Sequence, residues 1–474
     1  MKLLRLLTFI ELFALLLTIC AHSSMAQVRK QKAKKAPQVE VPTTWASPQG
    51  EDITTDVAQL KGWWRNFHDP QLERFVVEAL AANTDLKIAD ARVREVRAMR
   101  GVANSARYPN IEQTDVIARR RTILQTPNAA VPVESGLFQI GFDATWELDF
   151  FGGIRNSVKA ATAEVQAAEE SRRDVLVIVI AEVARNYIAL RGYQRQLEVA
   201  RYNIGTQRDT RYLTVVRAEA GLATDLDVSR AEAQLASTEA VVPELEGLIT
   251  NTIHHLGVLL GKPPGALLAE LQQVEPIPAT PPEVPVGLPA ELLRRRPDVR
   301  RTEAEIIAET ARLGVARSEL YPKFELTGLL GRTATSPGGL TLGLGNFFFG
   351  GVGIRLPIFN AGRIRSNIRA QDARLDEAIL LYEGTVRRSF EEVENSLTSY
   401  ERERHQRAKL QQAVASNRRA VLLAKELYTA GLSDFLSVLE AEKALYNSED
   451  DLAQSEATLS INLVAVYKAL GGGW

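Results

Sequence analysis

The sequence has a single cysteine, Cys20, which lies close to the amino terminus and excludes a disulfide framework. Acidic and basic residues nearly balance, 58 against 57, so bulk charge indicates no nucleic-acid partner. Only five histidines occur, and the adjacent pair His254 and His255 would point about 100° apart on a helix, a poor metal clamp. No catalytic constellation is found. We therefore expect neither an enzyme nor a cofactor.

The first 26 residues have the composition of a secretory signal peptide. Two basic residues precede the apolar run Leu12 to Ile19, and Ser24 to Ala26 provides a small-x-small cleavage site. This run is too short for a membrane-spanning helix. A lipoprotein box ending at Cys20 is the alternative, although Ile19 is bulky where a small residue is usual. Otherwise Cys20 leaves with the signal peptide.

An internal duplication organises the rest of the chain. The stretch around Gly221 matches the stretch around Gly431, and Leu226 matches Leu436 at the same offset of 210 residues. Each copy places its glycine between two long helical patterns, so each glycine marks the tip of a helical hairpin. A long ungapped match indicates a repeated structural unit.

Each repeat is expected to contain one long helix beside two shorter ones. From Gly153 to about Ala220 no proline interrupts a heptad-like apolar seam, giving about 67 residues or about 100 Å of helix. The return helix, Thr224 to Leu260, spans about 55 Å, and the helix Leu86 to Ala106 adds about 30 Å. The charged residues 169–174 exclude the long helix from lipid.

Two segments before the long helix alternate like strands: Ile111 to Ile123 and Phe138 to Phe150, separated by a loop from Thr126 to Ser135. Apolar-out, polar-in alternation over roughly ten residues is typical of membrane β-barrel strands, although an ordinary soluble sheet alternates too. The second copy predicts strands from Phe324 and from Phe347 to Pro357. The side chains predicted to face lipid are Phe138, Phe142, Trp146 and Phe150.

Between the repeats, Gly261 to Pro297 carries nine prolines and predicts an irregular collar at mid-height. We expect Trp63, Trp64 and Phe67 to pack against its segment from Pro276 to Pro289. The predicted divisions are a signal peptide (1–26), an N-terminal tether and collar segment (27–81), a first repeat (82–260), a proline-rich collar (261–296) and a second repeat (297–474).

Several motifs occur in the order found in a known family. They are Trp63-Trp64 with Phe67 and Asp69-Pro70, Trp146 to Asp149, Ala181 to Tyr187, Val284 to Ala290, Arg294 to Asp298, and Tyr467 to Trp474. With these motifs the chain resembles the outer-membrane efflux channels, specifically the nodulation-type branch found in tripartite multidrug pumps.

The resemblance implies an α+β membrane protein that forms a homotrimer. Each chain would give four strands to a shared twelve-stranded outer-membrane β-barrel, continued by a long periplasmic α-helical barrel with a mid-height collar. The chain would be a passive exit duct of a Gram-negative bacterium, passing drugs or other small molecules from an inner-membrane pump and a periplasmic adaptor. A type I protein secretion channel and a secreted helical scaffold that never enters a membrane remain alternatives.

The hairpin tips are the predicted functional sites. By the resemblance, adaptor proteins would contact the tips, and the second tip would form a constriction ringed by acidic residues. A ring of carboxylates at a narrow mouth concentrates cations. Helix N-capping is the alternative explanation for the same residues. The predicted adaptor contacts are Gly221, Leu222, Gly431 and Leu432, and the predicted gate residues are Thr224, Asp225, Asp227, Asp434, Ser437 and Glu440.

Overall fold

The computed structural model describes residues 39–46, 53–54, 60–126, 129–281, 284–340 and 345–474. Within this range, Val41–Trp474 forms one compact unit. The predicted signal peptide, with Cys20, lies outside the described residues.

Helices and strands follow in an order that repeats once. The helices are α1 (Pro70–Ala82), α2 (Thr84–Ser105), α3 (Gly153–Glu219), α4 (Asp225–Leu259), α5 (Leu268–Leu271), α6 (Pro289–Arg295), α7 (Pro297–Ser318), α8 (Arg363–Thr429) and α9 (Phe435–Ala469). The strands are β1 (Ile53–Thr54), β2 (Asn110–Thr126), β3 (Ala129–Leu148), β4 (Val284–Pro285), β5 (Lys323–Ala334) and β6 (Asn346–Arg355).

Matching helices of the two copies have equal lengths, which confirms the duplication. The long helices α3 and α8 each have 67 residues, the return helices α4 and α9 each have 35, and α2 and α7 each have 22. As predicted, α2 and α4 both pack against α3, while α7 and α9 both pack against α8. Helix α3 also contacts α7 and α9, so the two copies share one helical layer.

The heptad-like seam of α3 forms the interior of this layer. Ile180, Val183, Tyr187 and Leu190 are almost completely buried, and burying one such side chain contributes about 1.5–3 kcal/mol. Because four- and three-residue steps keep these side chains on one face, the sequence pattern alone predicts the buried stripe.

The aromatic segment before α1 lies in the main core. Trp63 is 1% exposed and stacks on Tyr467 of α9, with ring centroids 5.0 Å apart. Val286 of the proline-rich segment belongs to the same buried cluster, and Ile277 packs against it. The segment is not wholly irregular, however. It contains the short helices α5 and α6, and α6 begins with a proline at its first position, where no N–H is required.

The four long strands form an antiparallel sheet in the order β2-β3-β5-β6. The predicted loop from Thr126 to Ser135 is wrong, since β2 runs through Thr126 and β3 starts at Ala129. Strand β3 pairs with β5 only from Phe138 onward, so Pro132 lies where β3 has β2 as its single neighbour. Proline has no backbone N–H to donate to a neighbouring strand, so it is tolerated on such an open edge.

Candidate functional site: the sheet and the hairpin tips

One face of the sheet is open and mainly apolar on β3, β5 and β6, while β2 adds Gln113 and Asp115 to it. The strand register aligns Phe142 of β3 with Leu330 of β5 and Phe348 of β6, which places these side chains in one row across the sheet. They are 54%, 62% and 86% exposed. Contiguous apolar surface of this kind marks contact with lipid or another protein.

The opposite face is polar on β3, while Leu329 of β5 and Phe349 of β6 add apolar side chains to it. Alternation places Asp143, Thr145 and Glu147 on this face. Glu147 lies directly across from Glu325 of β5. Lys323 approaches Glu147 to 3.4 Å, which partly offsets the repulsion between the two carboxylates. Strand β3 therefore has one polar face and one apolar face, and the apolar row at Phe142 continues across β5 and β6.

The helix-proximal end of the apolar face carries the other predicted aromatic side chains. Trp146 lies two residues before the end of β3, and its Nε1 donates a hydrogen bond to the Arg107 carbonyl at 3.0 Å. This position suits a membrane interface better than a midplane. Phe150 is wrongly predicted as part of the strand, because β3 ends at Leu148. The Phe150 ring lies beyond it and packs edge-on against Phe324, with centroids 5.0 Å apart.

At the far end of the helices, both tips have the same backbone geometry. Gly221 and Gly431 adopt φ of 73° and 74°, the left-handed region that favours glycine. The Leu222 N–H donates to the Arg217 carbonyl at 2.8 Å, and Leu432 repeats this bond at its own tip, also at 2.8 Å. These are the closing bonds of Schellman motifs, which satisfy the last carbonyls of a helix.

Several predicted gate residues also cap the return helices. The Thr224 side chain accepts from the Asp227 N–H, while the Asp227 carboxylate accepts from the Thr224 N–H at 3.0 Å, which completes a capping box. Asp434 caps α9 by accepting from the Ser437 N–H at 3.1 Å and from the Ser437 hydroxyl at 2.7 Å. Asp225 is exposed in the first turn of α4. Capping is therefore present at Thr224, Asp227 and Asp434.

Asp434 remains a charged group at the surface of the tip. The hydrogen bond from the Ser437 hydroxyl, and then that from its N–H, lower the pKa of the Asp434 carboxyl, and Arg230 of the first hairpin adds to the effect. Asp434 and Ser437 thus come together. Glu440 is exposed further along α9.

A small aromatic cluster joins the two tips, and the sequence does not predict it. Tyr428 and Phe435 pack with centroids 5.7 Å apart, and Ala231 of the first hairpin completes the buried group with Val438. The Arg217 guanidinium lies 4.5 Å above the Tyr428 ring. Tyr428 lies at the end of α8, and its contact with the other hairpin depends on the tertiary arrangement.

Below the tips, buried carboxylates link α9 to α3. Glu442 is 4% exposed, accepts from the Thr210 hydroxyl at 2.6 Å and pairs with Lys425 at 2.8 Å. Two helical turns further along α9, the Glu449 carboxylate accepts a hydrogen bond from the Asn203 side chain at 3.0 Å. These contacts were not predicted either, although Glu442 lies on the repeated stretch.

No helix among the described residues is long and apolar enough to cross a membrane. In the same part of the chain, His, Cys, Asp and Glu side chains form no group suited to a metal ion.

The chain is similar to known proteins in both sequence and fold. A family model described as outer membrane efflux protein matches residues 75–262 and 288–472. The chain is 30% identical over 426 residues to the pyoverdine export outer membrane protein OpmQ of Pseudomonas aeruginosa, covering 89% of each protein. It is 30% identical to nodulation protein T of Rhizobium leguminosarum bv. viciae, covering 88% of this chain and 85% of the relative. The solved outer-membrane channel OprN aligns with a TM-score of 0.85 at 34% identity, covering 93% of this chain and 99% of that one.

Proposed function

This chain belongs to the outer membrane efflux protein family, and we propose that it is the outer-membrane exit duct of a tripartite efflux system. In this proposal the duct is passive, and an inner-membrane pump supplies the energy through a periplasmic adaptor. Because one relative is named for pyoverdine export, we propose small molecules rather than folded proteins as cargo. Residues 82–260 and 297–474 are proposed as the two structural repeats.

The exposed apolar sheet face carries this proposal. Within the described chain, β2 and β6 each have one edge without a partner strand. Four strands are too few to close a barrel, and open edges are not tolerated in lipid. Three chains would contribute twelve strands, an even number typical of bacterial outer-membrane barrels. The polar face with Asp143 and Glu147 would then line the water-filled interior.

Membrane fractionation tests the proposal directly. Expressed with its own signal peptide in a Gram-negative host, the chain should fractionate with outer membranes. After extraction in mild detergent it should migrate as a trimer that heating converts to monomer. Recovery as a soluble periplasmic monomer would instead support the secreted helical scaffold.

We further propose that the second tip restricts the periplasmic mouth and makes it cation-preferring. Three chains would place three copies of exposed Asp434 and Glu440 around this mouth, and fixed carboxylates attract cations. Replacing both, by Asn and Gln, should reduce the cation preference in planar bilayers. Glu244→Gln, at an exposed position in the middle of α4, is the control and should keep it. Full cation preference in the double variant would show that Asp434 only caps α9 and does not set ion selectivity.

The tips are also the proposed contact for the adaptor. Leu222 and Leu432 are 67% and 76% exposed beside Gly221 and Gly431, and exposed leucines at a rigid turn offer apolar anchors. Replacing both leucines by Ser should abolish co-purification of the adaptor, identified by mass. Val258→Ser, which alters a 56% exposed side chain at the other end of α4, should retain it.

A further inference from the structure

Three consecutive arginines on β2 divide between the two faces of the sheet. Arg119 lies opposite Gly136 and Arg121 opposite Glu134. These positions alternate in phase with Phe138 and Phe142, so both arginines lie on the apolar face. Arg120 lies on the polar face.

The arginine pair, Arg119 and Arg121, lies beyond Phe138, the last aromatic side chain of β3 on that face, while Asp115 and Arg332 lie opposite Ile140, about 5 Å inside it. From Leu148 to Phe138 the strand rises about 33 Å, which at a tilt of about 45° spans roughly the 25 Å of an outer-membrane apolar band. Arg119 and Arg121 pair with positions two and four residues past Phe138. They would therefore stand about 5 and 9 Å above the band on the side away from the helices.

The two positive charges of the arginine pair are only partly neutralised by the carboxylates near them. The side chains of Arg119 and Arg121 are 82% and 69% exposed, and both approach the same carboxylate, Glu134, at 2.8 and 4.0 Å. Arg332 lies on the same face, opposite Ile140, and donates to a backbone carbonyl at 3.3 Å. Asp115 also lies on this face, opposite Ile140. Three arginines therefore face two carboxylates, those of Glu134 and Asp115, which leaves a net positive charge on this part of the face.

We propose that the arginine pair binds the phosphate groups of lipids in the distal leaflet of the outer membrane. The inference depends on the proposed insertion of the sheet into that membrane. An occupant must present an anionic group directly above an apolar body, which is the chemistry of a phospholipid or glycolipid with exposed phosphate. Two neighbouring guanidinium groups bind phosphate oxygens in a bidentate manner.

Lipid titration of the detergent-extracted full-chain protein tests this proposal. The probe is phosphatidic acid in neutral-detergent micelles, with phosphatidylcholine micelles and inorganic phosphate as separate arms. Removing both charges by Arg119→Gln and Arg121→Gln should weaken phosphatidic acid binding about 30-fold, at about fivefold per basic residue. Glu134→Gln should tighten it. Arg120→Gln, the control on the polar face, should change it less than twofold.

The alternatives give distinct results. Equal weakening by Arg120→Gln, or unchanged binding by the double variant, would overturn the proposal. Competition by inorganic phosphate at matching concentration would show a free-anion site and overturn the assignment to lipid. If the double variant fails to form heat-sensitive trimers, Arg119→Lys with Arg121→Lys replaces it and should give an intermediate loss, because the charge stays and the bidentate geometry goes. Absence of the wild-type chain from outer membranes would refute the proposed function instead.

Discussion

Replacing Phe142 by arginine should prevent assembly of the protein in the outer membrane. Phe142 lies near the middle of the apolar face, six residues from Leu148 and four from Phe138, and it is 54% exposed. An arginine at the midplane of a membrane barrel costs about 2–4 kcal/mol. With three copies in a trimer, the loss would be about 6–12 kcal/mol, comparable with the whole stability of a typical domain.

Two further variants separate lipid exposure from general damage. Asp143→Arg changes the adjacent residue on the polar face and should assemble normally. Ile354→Arg lies on the apolar face at the helix-proximal end, where β6 pairs with Phe324, and should cost only about 0–1 kcal/mol. The assay is the yield of heat-sensitive trimer in purified outer membranes relative to total expressed chain.

The pattern of the three variants is decisive. We expect near-complete loss for Phe142→Arg, a small loss for Ile354→Arg and none for Asp143→Arg. Equal yields for Phe142→Arg and Asp143→Arg would refute the assignment of the two faces. Equal loss for Phe142→Arg and Ile354→Arg would refute the dependence of the cost on membrane depth, but not the assignment of the two faces.

Other predictions concern parts of the chain outside the membrane. Trp63→Ala removes the ring stacked on Tyr467 and should cost about 3–5 kcal/mol, seen as a lower unfolding midpoint of the extracted trimer. Burial, together with a neighbouring carboxylate, raises the pKa of Asp174, so its ionised form destabilises the fold at neutral pH. Asp174→Asn should therefore stabilise at pH 7, by an amount that shrinks as the pH falls toward that pKa. Gly431→Ala should destabilise by about 1–2 kcal/mol through its positive φ alone, since no atom lies within 4 Å of the added methyl. Gly101→Ala, in mid-helix and equally uncrowded, should instead stabilise by about 0.5–1 kcal/mol.

The helices and their capping positions follow from the sequence because their determinants are local. The buried seam around Tyr187 follows from side-chain spacing. Gly221 and Gly431 mark turns whose closing residue has a positive φ, which glycine adopts without strain. The residue type of Thr224 indicates a helix cap, and the structure has a capping box there.

The errors have tertiary causes. Pro132 indicates a loop when the sequence is considered alone. It is tolerated in β3 because β5 pairs only from Phe138 onward and leaves this edge open, which the local sequence does not show. Alternation continues past Leu148, the last residue of β3, and for this reason the sequence wrongly predicts Phe150 as part of the strand. The contact between Arg217 and Tyr428 joins separate repeats, and no spacing within either repeat encodes it. Sequence periodicity identifies which side chains are buried but not which partner buries them.

The equal lengths of matching helices constrain how this molecule can change in size. Because α3 and α8 each have 67 residues and α4 and α9 each have 35, both tips lie the same number of helical turns from their own sheet ends. Deleting seven residues from α3 alone would shift its tip by about 10 Å and separate Ala231 from the cluster around Tyr428. A viable shorter variant would need matched heptad deletions in all four helices. The distance from the sheet to the hairpin tips can therefore change only in steps of about 10 Å, and only in both copies together.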